Sequence, residues 1–222
     1  MQLYLDSANT ADWARLMPLG LFYGITTNPA LAARAGLYYP DINWADMAQR
    51  AADLGARELH AQVYGAPETY APWADALMQA GQRAGIRTVI KVPLVEASIR
   101  AVPGLRRAGC PVLMTACYAP KQMLVASALG AEFIAPYFGR MLEAGLPAYE
   151  AMAQMLAVTR SPGNATRILI ASLRDTDQMC RLADMGHDCF TIAPTVADML
   201  LQDERSTAAV AQFEQAAATQ PQ

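Results

Sequence analysis

Histidine and lysine are scarce in this 222-residue chain: His60, His187, Lys91 and Lys121 are all it has. Two histidines cannot make a His-rich metal site. Cys110, Cys117, Cys180 and Cys189 have neither metal-knuckle spacing nor a CxxC pair, so they read as small buried apolar residues in a reducing compartment. No metal site is expected from these residues. An excess of positive charge is also missing. With 17 Lys+Arg against 20 Asp+Glu, a net charge of −3 and a pI near 5.4, no basic face offers itself to nucleic acid or to an anionic membrane. No apolar run approaches the ~18 residues a membrane helix needs, because polar or charged residues interrupt each one. The opening Met1-Gln-Leu-Tyr-Leu-Asp6 lacks a basic start followed by an apolar stretch, so a secretory leader is not expected and a cytoplasmic location is. Linkers and low-complexity runs are absent as well. What is present is 54% apolar and 17% charged, enough for a sizeable core and unlike a disordered or collagen-like chain.

A short β-rich run followed by a helical stretch recurs eight times. The strand candidates are Leu3–Leu5, Phe22–Thr26, Leu59–Val63, Thr88–Val92, Val112–Thr115, Glu132–Ala135, Arg167–Ala171 and Cys189–Ala193. Helical stretches such as Trp44–Leu54, Pro72–Ala84, Pro120–Leu129, Ala148–Val158 and Thr176–Met185 lie between them, and Gly55, Gly85, Gly109, Gly130 and Gly186 stand where C-cap glycines belong. Pro103-Gly104 shortens or breaks the helix between strands four and five. Alternation of this kind means parallel pairing through helical crossovers. From Asp6 to Pro194 the seven intervals run about 27 residues each, which fits a closed (β/α)8 TIM barrel. A doubly wound open sheet is the runner-up, but Asp6-Ser7-Ala8-Asn9 lacks its Gly-rich first turn. The expected organisation is a barrel over 1–204 and an extra C-terminal helix and tail over 205–222. Val210, Phe213 and Ala217 recur there at helical spacing, to cap the barrel or to pack on a neighbouring subunit.

Barrel chemistry sits at the C-terminal strand ends. Those ends hold Asp6, Thr26-Thr27-Asn28, Gln62, Lys91, Thr115, Tyr137 and Ser172. Lys91 is the sharpest of them. The chain uses 15 Arg but only two Lys, and one Lys stands inside the apolar strand Thr88-Val-Ile-Lys-Val-Pro93. Alternation puts Val89 and Lys91 on one face and Ile90 and Val92 on the other. Pointing inward, the amine is desolvated, its pKa falls, and the neutral form can attack a carbonyl to give a Schiff base. Arginine cannot do this. The alternative is a lysine snorkelling to a carboxylate such as Asp6. Tyr137, Gln62 and Thr115 could hold one water for proton transfer. Asp6 could steer Lys91 or cap the next helix, and Asn28, followed by Pro29, could cap a helix or bind a hydroxyl. Arg140 and Ser172-Leu173-Arg174 suit an anion. Lys121 reads as a surface residue, and His60 and His187 as satisfied structural histidines, His60 lying on the Gln62 face but deeper.

In their order these motifs resemble the transaldolase family, and within it the small fructose-6-phosphate aldolase branch. The resemblance covers nearly the whole chain: Leu3-Tyr-Leu-Asp6, Gly24-Ile-Thr-Thr-Asn-Pro29, Ala61-Gln-Val63, Ile90-Lys-Val-Pro93, Thr115-Ala-Cys-Tyr118, Ala135-Pro-Tyr137 with Arg140, and Ala171-Ser172. It implies Lys91 as the Schiff-base lysine and Asp6 as the carboxylate handling substrate hydroxyl protons. It also implies Asn28 and Thr26 on the hydroxyl-binding wall, and Arg140 and Ser172 at the phosphate. Transaldolases carry Glu on strand three and Phe on strand six, whereas aldolases carry Gln and Tyr. Gln62 and Tyr137 therefore imply an aldolase, with Tyr137 as acid–base group and its water held by Gln62 and Thr115. The implied reaction is reversible aldol cleavage, with dihydroxyacetone or a related hydroxyketone as donor and glyceraldehyde 3-phosphate or another aldehyde as acceptor. A transaldolase and a non-catalytic sugar-phosphate-binding barrel are the alternatives. The resemblance further implies a homo-oligomer, pentamer or decamer, and a reaction that needs neither metal nor cofactor. The chain departs from the family at Ala30, Met114, Leu173 and the loop Met141–Pro147.

Overall fold

The computed structural model describes residues 1–219. Eight strands alternate with helices: β1 Gln2–Asp6, β2 Phe22–Thr26, β3 Glu58–Gln62, β4 Arg87–Pro93, β5 Val112–Cys117, β6 Phe133–Pro136, β7 Arg167–Ile168 and β8 Cys189–Ile192. The helices are α1 Thr10–Leu16, α2 Pro29–Arg34, α3 Trp44–Asp53, α4 Tyr70–Ala84, α5 Glu96–Ile99 and α6 Val102–Arg107, then α7 Lys121–Ala128, α8 Phe138–Glu143, α9 Ala148–Thr159, α10 Thr176–Asp184, α11 Pro194–Leu201 and α12 Glu204–Ala218. All pairings are parallel, in the order β7-β6-β5-β4-β3-β2-β1-β8. The fold is a (β/α)8 TIM barrel with an extra C-terminal helix. The expected broken crossover is the pair α5 and α6, with Pro103 in the first turn of the second.

Side-chain alternation divides the apolar residues into two cores. Tyr4, Val89, Leu113, Phe133, Ala135, Leu169 and Cys189 fill the barrel, while Ile90, Val92, Val112, Ile134 and Ile192 pack outward against the helices. Near the N-terminal end of the barrel lies a buried polar cluster. Tyr4 Oη and His60 Nε2 each lie 2.8 Å from Glu58 Oε2, and Arg87 Nη1 donates to Glu58 Oε1 at 2.7 Å. Burial works against the Glu58 charge, but the hydrogen bonds from His60, Arg87 and Tyr4 hold its carboxyl down at about 2. An ionised carboxylate only accepts, so Nε2 of His60 carries the proton.

Several expectations need correction. The β7 ladder covers Arg167–Ile168 rather than Arg167–Ala171. Beyond it the backbone bonds alternately to β6 and β8, through Ile170 N–H to Cys189 O at 3.0 Å and Ala171 N–H to Pro136 O at 3.0 Å, which closes the barrel without a regular ladder. Cys110, Cys117 and Cys189 are buried as expected, but Cys180 is exposed, because α10 turns Met179 and Leu182 inward instead. The two histidines are buried but only half satisfied: among the described residues His60 Nδ1 and His187 Nε2 have no hydrogen-bond partner. The C-terminal helix does not cap its own barrel. No residue of α12 is buried, and Val210 and Phe213 are 56% and 69% exposed. Residues 220–222 of the expected tail lie outside the described residues. None of the described helices is long and apolar enough to cross a membrane.

Candidate active site

The C-terminal mouth of the barrel holds a cavity of about 460 Å³, lined by Asp6, Asn28, Lys91, Tyr137, Arg140 and Ser172 among others. Six of the nine expected site residues therefore share one wall. Thr26 and Thr115 stand behind it, hydrogen-bonded to Asp6 and Tyr137, and Gln62 is half-buried outside the lining.

Lys91 reaches the cavity because β4 places it on the inner face with Val89, while Ile90 and Val92 face the helices. It is 4% exposed, and no ion pair among the described residues includes it. The snorkelling alternative is thus not what the chain adopts. Burial lowers the Lys91 pKa and the Asp6 charge opposes that shift; desolvation prevails. Asp6 does not cap α1, since Asn9 does so by accepting from Ala11 N–H. Instead it accepts from Thr26 Oγ1 at 2.7 Å. With its proton committed to Asp6, Thr26 must accept from Thr191 Oγ1, 2.5 Å away.

Tyr137 follows β6 directly, and its hydroxyl shares a 3.0 Å hydrogen bond with Thr115 Oγ1. Burial raises its pKa and keeps it a neutral phenol, although the Thr115 bond works the other way. One turn into α8, the Arg140 guanidinium lies over the Tyr137 ring, 4.9 Å from its centroid. Ser172 adopts a left-handed φ of 65°, and its carbonyl accepts from Gly139 N–H at 3.1 Å. Non-glycine residues take that conformation only where the surroundings impose it. Arg174 lines the same side and donates to Glu143 at 2.7 Å. Asn28 does cap α2, with Leu31 N–H donating to its Oδ1 at 3.0 Å, and it lines the cavity as well. Both expected uses of Asn28 are therefore compatible.

Three neighbours of the site lie beyond the sequence reading. Thr191 shares the inward face of β8 with Cys189, a position alternation alone would have found. Arg34 lines the cavity, on the face of α2 that carries Leu31 one turn earlier. Tyr39 holds the backbone of Gln62 through its hydroxyl, accepting from its N–H at 3.0 Å and donating to its carbonyl at 2.6 Å. No local pattern announces that long-range contact.

Residues 3–222 match the family described as Transaldolase/Fructose-6-phosphate aldolase. A probable transaldolase of Leptospira biflexa serovar Patoc is 29% identical over 218 residues, covering 96% of each chain. One of Cereibacter sphaeroides is 31% identical over 199 residues, covering 88% of this chain and 86% of that one. Among solved structures, a flavocytochrome b2 variant with sulfite bound superposes with a TM-score of 0.63 at 11% identity over 87% of this chain. A mandelate oxidase variant with 2-hydroxy-phenylacetamide gives 0.60 at 15% over 86%. The chain spans 57% and 64% of those two structures, and the likeness is one of fold alone. On the match of its residues 3–222, the chain belongs to the transaldolase/fructose-6-phosphate aldolase family.

Proposed function

We propose that this chain is a class I aldolase of the fructose-6-phosphate aldolase kind, an aldehyde-lyase of the cytoplasm. The observation that carries the reading is Lys91: a lysine on an inner barrel face, 4% exposed, without an ion-pair partner among the described residues, on the wall of the mouth cavity. A desolvated amine of this kind is a nucleophile near neutral pH. Lys91 Nζ adds to the keto carbon of dihydroxyacetone, and loss of water gives the imine. Removal of a proton from the adjacent carbon yields the enamine. The enamine carbon attacks the aldehyde carbon of the acceptor, whose oxygen takes up a proton. Water then adds to the imine and expels the Lys91 amine, releasing the ketose. In reverse the same steps split a ketose phosphate.

Tyr137 is the proton donor and acceptor of this scheme, oriented by Thr115 and acting through a water that Gln62 also holds. Asp6, steadied by Thr26, takes the proton of a substrate hydroxyl, and Asn28 binds a second hydroxyl. Arg140 and Ser172 grip the acceptor phosphate, in keeping with the position of barrel phosphate sites near strands seven and eight. None of these steps calls for a metal or a cofactor. The exposed α12 suits packing on a neighbouring copy in a homo-oligomer.

The names of the relatives favour a second reading, in which the three-carbon unit passes to another aldose without release. The ratio of free dihydroxyacetone to transferred product from fructose 6-phosphate decides between them. Release exceeding transfer is expected, and transfer without release contradicts the aldolase reading. Tyr137→Phe provides a sharper check. Losing the phenol should lower release by about 10²-fold or more and transfer by clearly less; equal loss of both removes Tyr137 from the hydrolytic step.

A further inference from the structure

The last rung between β2 and β3 is Thr27 N–H donating to His60 O at 2.8 Å. Beyond it the chain leaves β2 to cap α2 at Asn28. In a parallel pair each residue directs its N–H and C=O to the same neighbour. Val63 N–H points to β4, donating to Lys91 O at 3.0 Å, so both backbone groups of Gln62 face the gap that β2 has left. The Tyr39 hydroxyl fills it. It accepts from Gln62 N–H at 3.0 Å and donates to Gln62 O at 2.6 Å, standing in for the missing rung.

The phenol has little freedom to leave. Tyr39 is 6% exposed, and its ring meets Trp44 and Tyr64 edge-on at 5.4 and 5.5 Å between centroids. Trp44 in turn meets Trp73 at 5.6 Å. Burial pushes the Tyr39 pKa up, so the proton it gives to Gln62 O stays in place. Among the described residues no hydrogen bond holds the Gln62 carboxamide, and its aim depends on the backbone beneath it.

We infer that Tyr39 is a positioning residue: by replacing the absent β2 rung it fixes the Cα–Cβ direction of Gln62 and so aims the carboxamide at the water used to release the ketone. This rests on the aldolase reading, in which Gln62 holds that water. Tyr39→Phe keeps the ring packing and deletes only the hydroxyl. Two readouts test it. In amide hydrogen exchange the Gln62 N–H should exchange about 10-fold faster or more, with Val63 N–H unchanged as the internal reference. In product analysis, release of free dihydroxyacetone should fall about 10-fold with transfer nearly unchanged. Gln62→Ala should give a similar loss, and the double variant no more than either single one.

Unchanged protection of Gln62 overturns the clamp whatever the activity. Release that falls in Gln62→Ala but not in Tyr39→Phe, or losses that multiply in the double variant, overturn its catalytic consequence alone. Full release in Gln62→Ala removes the aldolase role of Gln62 and, with it, the inference.

Discussion

Replacing Lys91 by methionine is expected to abolish aldol chemistry and to make the protein more stable at neutral pH. The first effect follows from losing the proposed covalent nucleophile, for which a fall of about 10⁴- to 10⁶-fold in kcat is the usual scale. The second follows from the site of the amine. A folded-state pKa below the unfolded value means that the unfolded chain binds more protons between the two. Stability of the natural protein therefore rises with pH across that window, and the full penalty remains below the folded pKa. Methionine of similar length has no such penalty. The variant should gain about 1–3 kcal/mol at neutral pH, the scale found when buried charged groups give way to apolar ones. That advantage should shrink as pH approaches the ordinary lysine range. Urea unfolding of both proteins at several pH values measures it. A variant less stable at every pH would mean that Lys91 is a structural cation, satisfied where it sits.

Gly139→Ala carries the second large effect, and it acts on the side where Ser172 and Arg140 are proposed to grip a phosphate. A Cβ built at Gly139 overlaps the Ser172 carbonyl oxygen and lies 3.1 Å from the Arg174 side chain. Backbone cannot yield there as a flexible side chain would, because Gly139 N–H also donates to that carbonyl. The loop after β7 must move, taking with it Ser172, already in a left-handed conformation. We expect a stability loss of about 1–3 kcal/mol, typical of overpacking. KM for phosphorylated acceptors should rise about 10-fold or more, while plain aldehydes react nearly as before. Equal damage to both classes of acceptor would separate this loop from phosphate binding.

Much of the architecture was legible because two local signals agree. Strand alternation separated Val89 and Lys91 from Ile90 and Val92, and glycines with positive φ, such as Gly85 and Gly130, end the helices where they were expected. The cavity-facing residues at the strand ends follow from the same alternation. What escaped the sequence is non-local. Tyr39 reaches Gln62 across 23 residues from a 3₁₀ turn whose own pattern says nothing about β3. The barrel closes at Ile170 through single bridges, which a clean apolar run over Arg167–Ala171 conceals. The fate of α12 was open for a related reason: helical spacing shows that Val210 and Phe213 share a face, but not what that face meets.

The central claim is that Lys91 forms a Schiff base. Incubation with dihydroxyacetone and sodium borohydride, followed by peptide mapping, tests it most directly. The account predicts a reduced three-carbon adduct on Lys91, with Lys121, exposed at the start of α7, left unmodified. An intact Lys91 after reduction, under conditions where fructose 6-phosphate is turned over, would contradict it.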